Sequence, residues 1–353
     1  MDKLSIIQIF SIILFTCSTV IANSNNNNII PPLEKYFNFY GRFDFSEKNL
    51  VKFDWPGCAI EFSFKGSGFK ILLEDGFNDF NIIIDKKLHK IIKTKSRKFI
   101  YIAAKNLKNT EHNVLIAKKT ESFEKPSIFK GIILNPDSKI LPPHQKPKYK
   151  IEFIGDSITV GYGNESRSIK CKDFKNWTNN YFSYAQITAR ELNAESSIIA
   201  ISGKGVVRNY GEKEVISQKP LPYYYDKTLL TQDNKKWNFK NWKSDITVIC
   251  LGTNDFSTTP HPSKEVFIKS YRKLISQIKS KNKNTKIFIM GSPTLEEPLN
   301  TYLTEIAKKE KIKFIKLPKT PINQLGCDWH PNIFAHQKIA EILIKEIRKY
   351  MHQ

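Results

Sequence analysis

The apolar residues of this chain change their spacing near residue 140, and that change limits the fold more than any other feature. Across Tyr36–Leu134 they occur in short runs that alternate with polar residues, as Ile60, Phe62 and Phe64 do. Turn signals such as Gly66-Ser67-Gly68 separate these runs. Short period-two runs at this spacing predict antiparallel strands whose apolar faces pack together as a β-sandwich.

The second half of the chain has a different pattern, in which strands alternate with helices. Continuous apolar runs such as Ile246–Leu251 alternate with segments that are apolar on one helical face, such as Tyr181–Leu192. This alternation predicts a parallel sheet covered by helices on both faces. The Pro-rich segment Asn135–Lys150 is the predicted junction. The predicted class is therefore α/β, with a β-sandwich domain at 35–140 and a parallel-sheet domain at 148–353.

The first 34 residues precede both patterns. Lys3, the apolar run Leu4–Phe15 and the small residue Ala22 are typical of a secretory signal peptide that ends near residue 22. The apolar run is short for a membrane span, so we expect no membrane association after cleavage, with an uncleaved anchor as the alternative. The Asn-rich residues 23–34 are predicted to be a disordered lead-in. The expected location is extracellular or in the endomembrane lumen.

The chain is strongly basic, with a formal net charge of +22. Because the lysines are spread over the whole length and form no dense basic arm, we expect no nucleic-acid partner. An acidic polysaccharide or an anionic cell wall remains a suitable partner for such a surface. Asn164 and Asn176 each begin a glycosylation sequon, which is consistent with a glycoprotein.

The cysteines that follow the predicted signal match no zinc-site spacing and are too few for a disulfide scaffold. One disulfide can form among Cys58, Cys171, Cys250 and Cys327, but the sequence does not pair it. Cys250 ends an apolar strand and is predicted to be a buried thiol.

Polar residues follow the predicted parallel strands at the edge where α/β sheets carry their sites. These segments are Gly155-Asp156-Ser157, Ser202–Gly205 and Gly252–Asp255, and a fourth, Gly326–Pro331, precedes the last helix. Each alone is a weak signal, because such residues also form ordinary turns. Together, in this order, they predict one catalytic site.

In this order the four segments resemble the SGNH (GDSL-type) hydrolases, whose sequence blocks supply Ser, Gly, Asn and His. With the β-rich half included, the chain resembles carbohydrate esterase family 2 in "FDWPGCAIEFSFKGSGFKILLED", "SGKGVVRNYG" and "GCDWHPN". The resemblance implies a jelly-roll-like sandwich followed by a flavodoxin-like SGNH domain. It also implies the removal of O-acetyl groups from xylan- or mannan-type polysaccharides. We expect a monomer that needs no cofactor and no metal ion.

A serine hydroxyl is a weak nucleophile at neutral pH unless an adjacent base accepts its proton. His330 is the candidate base, because it opens the last helical region just before Pro331. His261, in a Pro-flanked loop, and His336, inside the last helix, are weaker candidates. The prediction is therefore a nucleophile at Ser157 that forms an acyl-enzyme, with His330 as its base.

The tetrahedral intermediate of such a reaction carries an oxyanion that needs preorganised donors. The predicted donors are the N–H groups of Ser157 and Gly205 and the side-chain amide of Asn254. Gly203 is the alternative to Gly205, and the choice between them rests on the family pattern. Asp156 is predicted to be structural, with its carboxylate bonded to N–H groups of the turn.

One position departs from the SGNH pattern, which has an Asp three residues before the His. Cys327 stands there, and Asp328 lies only two residues before the His. Either the Asp328 carboxylate orients the imidazole, or a main-chain carbonyl does, and the carbonyl predicted for this is that of Trp329. The Trp329 side chain is also predicted to bind substrate as a pocket wall. Tyr223–Tyr225 line the sugar site or pack within their loop.

Other chemistries fit the sequence less well. It contains no G-x-S-x-G motif of an α/β-hydrolase. His330 and His336 lack the carboxylate partner that a metal-dependent deacetylase needs. Gly203-Lys204-Gly205 lacks the third glycine of a dinucleotide-binding loop. The remaining alternative is a secreted carbohydrate-binding protein of the same fold with little or no activity.

Overall fold

The computed structural model describes residues 29–121 and 124–351. The predicted signal peptide at 1–22 and the first part of the lead-in lie outside the described residues. Ile29 and Ile30, which we expected in the disordered lead-in, instead form a strand that pairs with Ile133 and Ile132. Two apolar residues beside an open strand edge can gain ladder hydrogen bonds and burial together, which corrects that expectation.

The first half of the chain folds as two antiparallel sheets. Its strands are β1 (Ile29–Ile30), β2 (Asn38–Tyr40), β3 (Val51–Phe53), β4 (Ala59–Gly66), β5 (Phe69–Glu74), β6 (Asp79–Ile84), β7 (Lys87–Lys93), β8 (Ile100–Ala104), β9 (Thr110–Lys118), β10 (Ser127–Leu134) and β11 (Lys139–Leu141). One sheet has the order β1-β10-β5-β8, with β3 beside β10, and the other has the order β11-β4-β9-β6-β7, with β2 beside β4.

The two sheets pack face to face through aromatic rings. Phe62 of β4 meets Phe69 of β5 edge to face, with ring centroids 5.1 Å apart, and both side chains are fully buried. Phe37 lies between Phe62 and Phe129 at 5.5 and 5.4 Å. Edge-to-face rings at these distances gain more than burial alone. The predicted sandwich is confirmed, and the Pro-rich junction adds the edge strand β11 to it.

The second half is a parallel sheet between helices. Its strands are β12 (Tyr149–Gly155), β13 (Ala194–Ala200), β14 (Ile246–Cys250), β15 (Lys286–Met290) and β16 (Lys313–Ile315). Its helices are α1 (Ser157–Val160), α2 (Phe174–Trp177), α3 (Tyr184–Glu191), α4 (Leu221–Tyr224), α5 (Lys264–Lys281), α6 (Leu299–Glu310) and α7 (Ile333–Met351). The strand order β13-β12-β14-β15-β16 is flavodoxin-like, which confirms the predicted fold class.

The helices cover both faces of this sheet with their apolar sides. α5 and α6 share one core with the sandwich, whereas α3 and α7 form a second core on the opposite face. Within the described part of the chain, no helix is both long enough and apolar enough to cross a bilayer.

Buried charges join the two domains. Arg42, which is 1% exposed, donates to the carbonyl oxygens of Tyr225 and Lys227 and to Glu152 Oε1 at 3.2 Å. The Tyr225 hydroxyl donates to Glu152 Oε2 at 3.0 Å. Farther along the interface, the Asp54 carboxylate accepts from the main-chain N–H of Leu230 at 2.7 Å. Because Arg42 and Asp54 each have hydrogen-bond partners in the other domain, these contacts fix the position of one domain relative to the other.

Replacing Arg42 by Ala is expected to lower the free energy of unfolding by about 3–5 kcal/mol, since Glu152 is left buried without its partner. Arg272→Ala is the matched control, because Arg272 pairs with Glu310 while 48% exposed, and such a pair contributes at most about 1 kcal/mol. Urea unfolding at neutral pH measures both. Equal losses in the two variants would contradict a stabilising role for the buried pair.

Candidate functional site

The turn after β12 positions Ser157. Ser157 is the first residue of α1, and the Asp156 carboxylate caps that helix by accepting from the Ile158 N–H at 3.0 Å. This is the structural role predicted for Asp156. A Cβ at Gly155 would lie 1.9 Å from Thr159 Oγ1, so only glycine allows the turn to close this tightly. The turn places the Ser157 hydroxyl at the carboxyl edge of the sheet.

His330 lies within hydrogen-bond distance of Ser157. Its Nε2 is 2.8 Å from Ser157 Oγ. Its Nδ1 is 3.0 Å from the Asp328 carbonyl oxygen and 3.1 Å from the Cys327 carbonyl oxygen. Carbonyls only accept hydrogen bonds, so we assign the proton of the neutral ring to Nδ1. Nε2 is then the acceptor for the serine proton, which is the geometry of a nucleophile and its base.

The carbonyls that orient His330 differ from the expected one. We predicted the Trp329 carbonyl, but the structure places those of Cys327 and Asp328 at the ring. Asp328 and Trp329 both have left-handed backbone angles, with φ of 48° and 64°. This tight turn brings the carbonyls of Cys327 and Asp328 to the imidazole ring. The Asp328 carboxylate instead accepts from the Tyr162 hydroxyl at 2.7 Å.

Burial lowers the pKa of His330 below its ordinary value of 6.5, although the two carbonyls act in the opposite direction. The ring therefore stays neutral, and able to accept a proton, at a lower pH than a free imidazole would.

Ser157 and His330 open into a cavity of about 380 Å³. A volume of this size admits a small acyl group with part of the molecule that carries it. The lining residues are Ser157, Tyr162, Ser202, Gly203, Tyr210, Asn254, Asp328 and His330.

Gly203, and not Gly205, is the glycine at this cavity. The Gly205 N–H donates to Asn209 Oδ1 at 3.3 Å, and a Cβ on Gly205 would lie 2.0 Å from the Arg208 carbonyl oxygen. Gly205 is thus required for packing of its loop around Asp255, whose carboxylate accepts from the N–H groups of residues 206–208. Gly203 has a φ of +77° and lines the cavity, which corrects our choice between the two.

Asn254 lines the cavity. Its Nδ2 donates to the Lys204 carbonyl oxygen at 3.0 Å and is 3.4 Å from Asp156 Oδ2. The second of these is a long contact, so this amide hydrogen is only weakly bonded within the protein. Asn254, Ser157 and Gly203 thus line the same cavity.

Two tyrosines at the cavity were not predicted. The Tyr162 ring packs against His330 at 4.4 Å and against Phe174 at 4.6 Å between centroids. Tyr210 is 66% exposed at the cavity mouth. Tyr162 lies shortly after the Ser157 turn in the chain, and Tyr210 belongs to "SGKGVVRNYG".

Trp329 lies elsewhere than expected, whereas the tyrosine triplet follows the second of its two alternatives, packing within its loop. The Trp329 side chain is 58% exposed and is not part of the cavity lining, although it neighbours His330 in sequence. In the triplet, Tyr225 is buried against Glu152, and the Tyr223 hydroxyl donates to Asp233. The triplet therefore packs within its loop and at the domain interface.

The other candidate histidines do not reach Ser157. His336 is buried in α7, where its Nδ1 accepts from the Tyr184 N–H at 3.0 Å, and burial lowers its pKa to about 3. His261 is exposed and packs against the Phe256 ring. Across residues 29–121 and 124–351, no group of three or more His, Cys, Asp or Glu could hold a metal ion.

The cysteines and sequons also have definite positions. Cys171 and Cys327 form a disulfide, and Cys58 and Cys250 are buried free thiols. Asn164 is 1% exposed, and its amide is bonded to the Asn179 backbone. A glycan at Asn164 is incompatible with this packing, so the expectation of a glycoprotein rests on the exposed Asn176.

Both halves of the chain match known protein families. A model described as Carbohydrate esterase 2 N-terminal matches residues 39–143, and a GDSL-like Lipase/Acylhydrolase family model matches residues 153–338. An acetylxylan esterase / glucomannan deacetylase of Cellvibrio japonicus is 32% identical over 84% of this chain and 85% of its own length.

Two further relatives are also bacterial carbohydrate-active proteins by name. The cellulase/esterase CelE of Acetivibrio thermocellus is 33% identical over 88% of this chain, which spans only 39% of that longer protein. A solved family two carbohydrate esterase from Clostridium thermocellum, in complex with cellohexaose, superposes with a TM-score of 0.84 at 33% identity. That alignment covers 90% of this chain and 99% of the solved one.

Replacing Asp328 by Asn is expected to keep ester hydrolysis within about tenfold of the unchanged protein, because Asn can still accept from Tyr162 and the main-chain carbonyls remain. His330→Ala is the reference for loss of the base, which typically costs about 10²–10⁴-fold. Turnover of p-nitrophenyl acetate and labelling of Ser157 by a fluorophosphonate measure both. A loss in the Asp328 variant that approaches that of His330→Ala would show that the carboxylate, and not a carbonyl, orients the ring.

Proposed function

Because the chain belongs to carbohydrate esterase family 2, and is thus a carboxylic-ester hydrolase, we propose that it removes O-acetyl groups from xylan- or mannan-type polysaccharides through an acyl-enzyme on Ser157. The 2.8 Å approach of His330 Nε2 to Ser157 Oγ carries the proposal. The homologues named for polysaccharide deacetylation support the substrate class.

The proposed acylation uses the two side chains in turn. His330 Nε2 accepts the serine proton while Ser157 Oγ bonds to the carbonyl carbon of the acetyl group. The carbonyl oxygen becomes an oxyanion, for which the Ser157 and Gly203 N–H groups and the Asn254 amide are the proposed donors. His330 then donates its proton to the sugar oxygen, the ester bond breaks, and the acetyl group stays on Ser157.

Deacylation repeats these steps with water. His330 accepts a proton from a water molecule, the resulting hydroxide adds to the acetyl carbon, and Ser157 Oγ leaves with the returned proton. Acetate is released and the starting state is restored. In both halves the imidazolium has its charge stabilised by donation from Nδ1–H to the Cys327 and Asp328 carbonyls.

The polysaccharide is proposed to lie across the cavity mouth. Tyr210 exposes its ring at the cavity and is 66% exposed, and Trp329, next to His330 in the chain, is 58% exposed. Such flat rings can bury against sugar faces. Trp329 thereby keeps its proposed role in substrate binding, as a surface beside the cavity and not as one of its walls. A monomer is sufficient for this arrangement.

The proposed location is extracellular or in the endomembrane lumen. The leader pattern at residues 1–22 favours it, and so does the Cys171–Cys327 disulfide, because such bonds persist in oxidising compartments.

Ser157→Ala is expected to lower acetate release from acetylated xylan or glucomannan by at least about 10³-fold, since loss of the nucleophile removes most of a serine hydrolase's rate enhancement. The matched control is Ser280→Ala, which removes an exposed hydroxyl on α5. Acetate release in the unchanged protein and the control, measured without added metal, supports the proposal. Glycan binding with no acetate release from any of the three proteins would favour the carbohydrate-binding alternative.

The pH profile tests the role of His330 separately. The base must be neutral, so kcat/KM is full above the pKa of His330 and falls as the pH drops through it. Because burial lowers that pKa below 6.5, the acid limb is expected below pH 6.5. Circular dichroism over the same range controls for acid unfolding. An acid limb at or above pH 6.5 would contradict the buried, carbonyl-oriented imidazole.

A further inference from the structure

We propose that the Cys171–Cys327 disulfide is a positioning element for His330, taking the part that a side-chain carboxylate has in a catalytic triad. This inference rests on the proposed function of Ser157 and His330. It assigns the bond a role in turnover, beyond its contribution to the stability of the fold.

Cys327 is coupled to His330 by two hydrogen bonds. Its carbonyl oxygen accepts from the His330 Nδ1 at 3.1 Å and from the His330 main-chain N–H at 3.0 Å. Cys327 is fully buried, and its Cα lies 5.3 Å from that of Cys171. A displacement of Cys327 therefore moves both the backbone of His330 and the acceptor of its ring.

The turn between Cys327 and His330 needs external restraint. Asp328 and Trp329 are successive left-handed residues, and each such residue other than glycine costs on the order of 1–3 kcal/mol. Strained backbone of this kind persists only where its surroundings hold it. Without restraint the turn can relax, and the two carbonyls would then leave Nδ1.

The segment that carries Cys171 provides this restraint. The Asp328 N–H donates to the Ile169 carbonyl oxygen at 2.9 Å, two residues before the disulfide. A Cβ at Gly163 would lie 2.3 Å from Cys327 Cβ, so the start of the same segment passes directly against Cys327. Residues 161–173 contain no helix or strand. The Cys171–Cys327 bond adds a covalent tie between this irregular segment and the turn to these non-covalent contacts.

A purely stabilising disulfide would behave differently. The bond joins residues separated by 156 positions, and closing so long a loop stabilises a protein mainly by restricting its unfolded state. That effect lowers the melting temperature when the bond is removed, but it leaves the turnover of the folded enzyme unchanged. The two roles can therefore be separated by measuring folded protein.

The experiment compares the oxidised protein, the protein reduced by a phosphine, Cys171→Ala, and the control Cys58→Ala, whose thiol is buried in the sandwich. The phosphine supplies two electrons to the disulfide and becomes the phosphine oxide, while one water molecule provides the oxygen and the two protons. The two thiols that result are counted by titration. Turnover of p-nitrophenyl acetate, its pH profile and far-UV circular dichroism are measured well below the melting temperature.

We expect kcat to fall by about 10²-fold on reduction and in Cys171→Ala, the size of loss that a misplaced catalytic group produces. KM should be unchanged, because Ser202, Gly203 and Tyr210 keep their positions. The acid limb of kcat/KM should move up toward pH 6.5 as the ring becomes less buried. Before reduction, the kcat of Cys58→Ala should match that of the oxidised protein, and the phosphine should lower it by the same factor. The phosphine should leave the kcat of Cys171→Ala unchanged.

Full kcat in reduced, natively folded protein would overturn the positioning role and leave the proposed function intact. Activity that is lost only in parallel with the circular dichroism signal would also overturn it, because the bond would then act on stability alone. If Cys171→Ala does not fold, the reduced protein supplies the same comparison. Failure of the oxidised protein to hydrolyse esters would instead count against the proposed function.

Discussion

The donation from His330 Nδ1–H to two main-chain carbonyls is the interaction on which the site depends. It determines which ring nitrogen carries the proton, and therefore which one faces Ser157 as an acceptor. A carboxylate in that place would add a negative charge, whereas carbonyls supply only dipoles. Their geometry must consequently be held by the backbone, and the left-handed pair at Asp328 and Trp329 is what aims them.

The electrostatics behind Ser157 fit the formation of an oxyanion. Three carboxyl groups lie near the turn, and burial raises the pKa of each, that of Asp156 to about 7. The Asp255 carboxylate accepts from the N–H groups of residues 206–208, in the loop that follows Gly203, and these donors stabilise its negative charge. Glu121 accepts from the Ser202 N–H at 2.9 Å. A carboxyl group that is protonated, or whose charge is stabilised by N–H donors, opposes a new negative charge less than a free carboxylate would.

Much of this could be predicted from sequence, because periodicity reports which faces of a strand or helix are buried. It separated the sandwich from the parallel sheet, and the strand-end segments brought Ser157, Asn254 and His330 to one edge. The choice between Gly203 and Gly205 depends on where each N–H points, which no spacing encodes. The pairing of Cys171 with Cys327 and the carbonyls at His330 arise from contacts between distant segments, so they required the folded chain.

The sandwich packs against the α/β domain through buried contacts close to the cavity. The chain continues from β9 to Lys119 and Glu121, whose side chains contact the other domain. Lys119 Nζ, whose side chain is 2% exposed, pairs with Glu165 at 3.1 Å. The Glu121 carboxylate accepts a hydrogen bond from the N–H of Ser202, the residue before Gly203. Because the aromatic core of the sandwich is also continuous with that of α5 and α6, the α/β half alone would expose apolar surface and lose the contact that fixes one wall of its cavity.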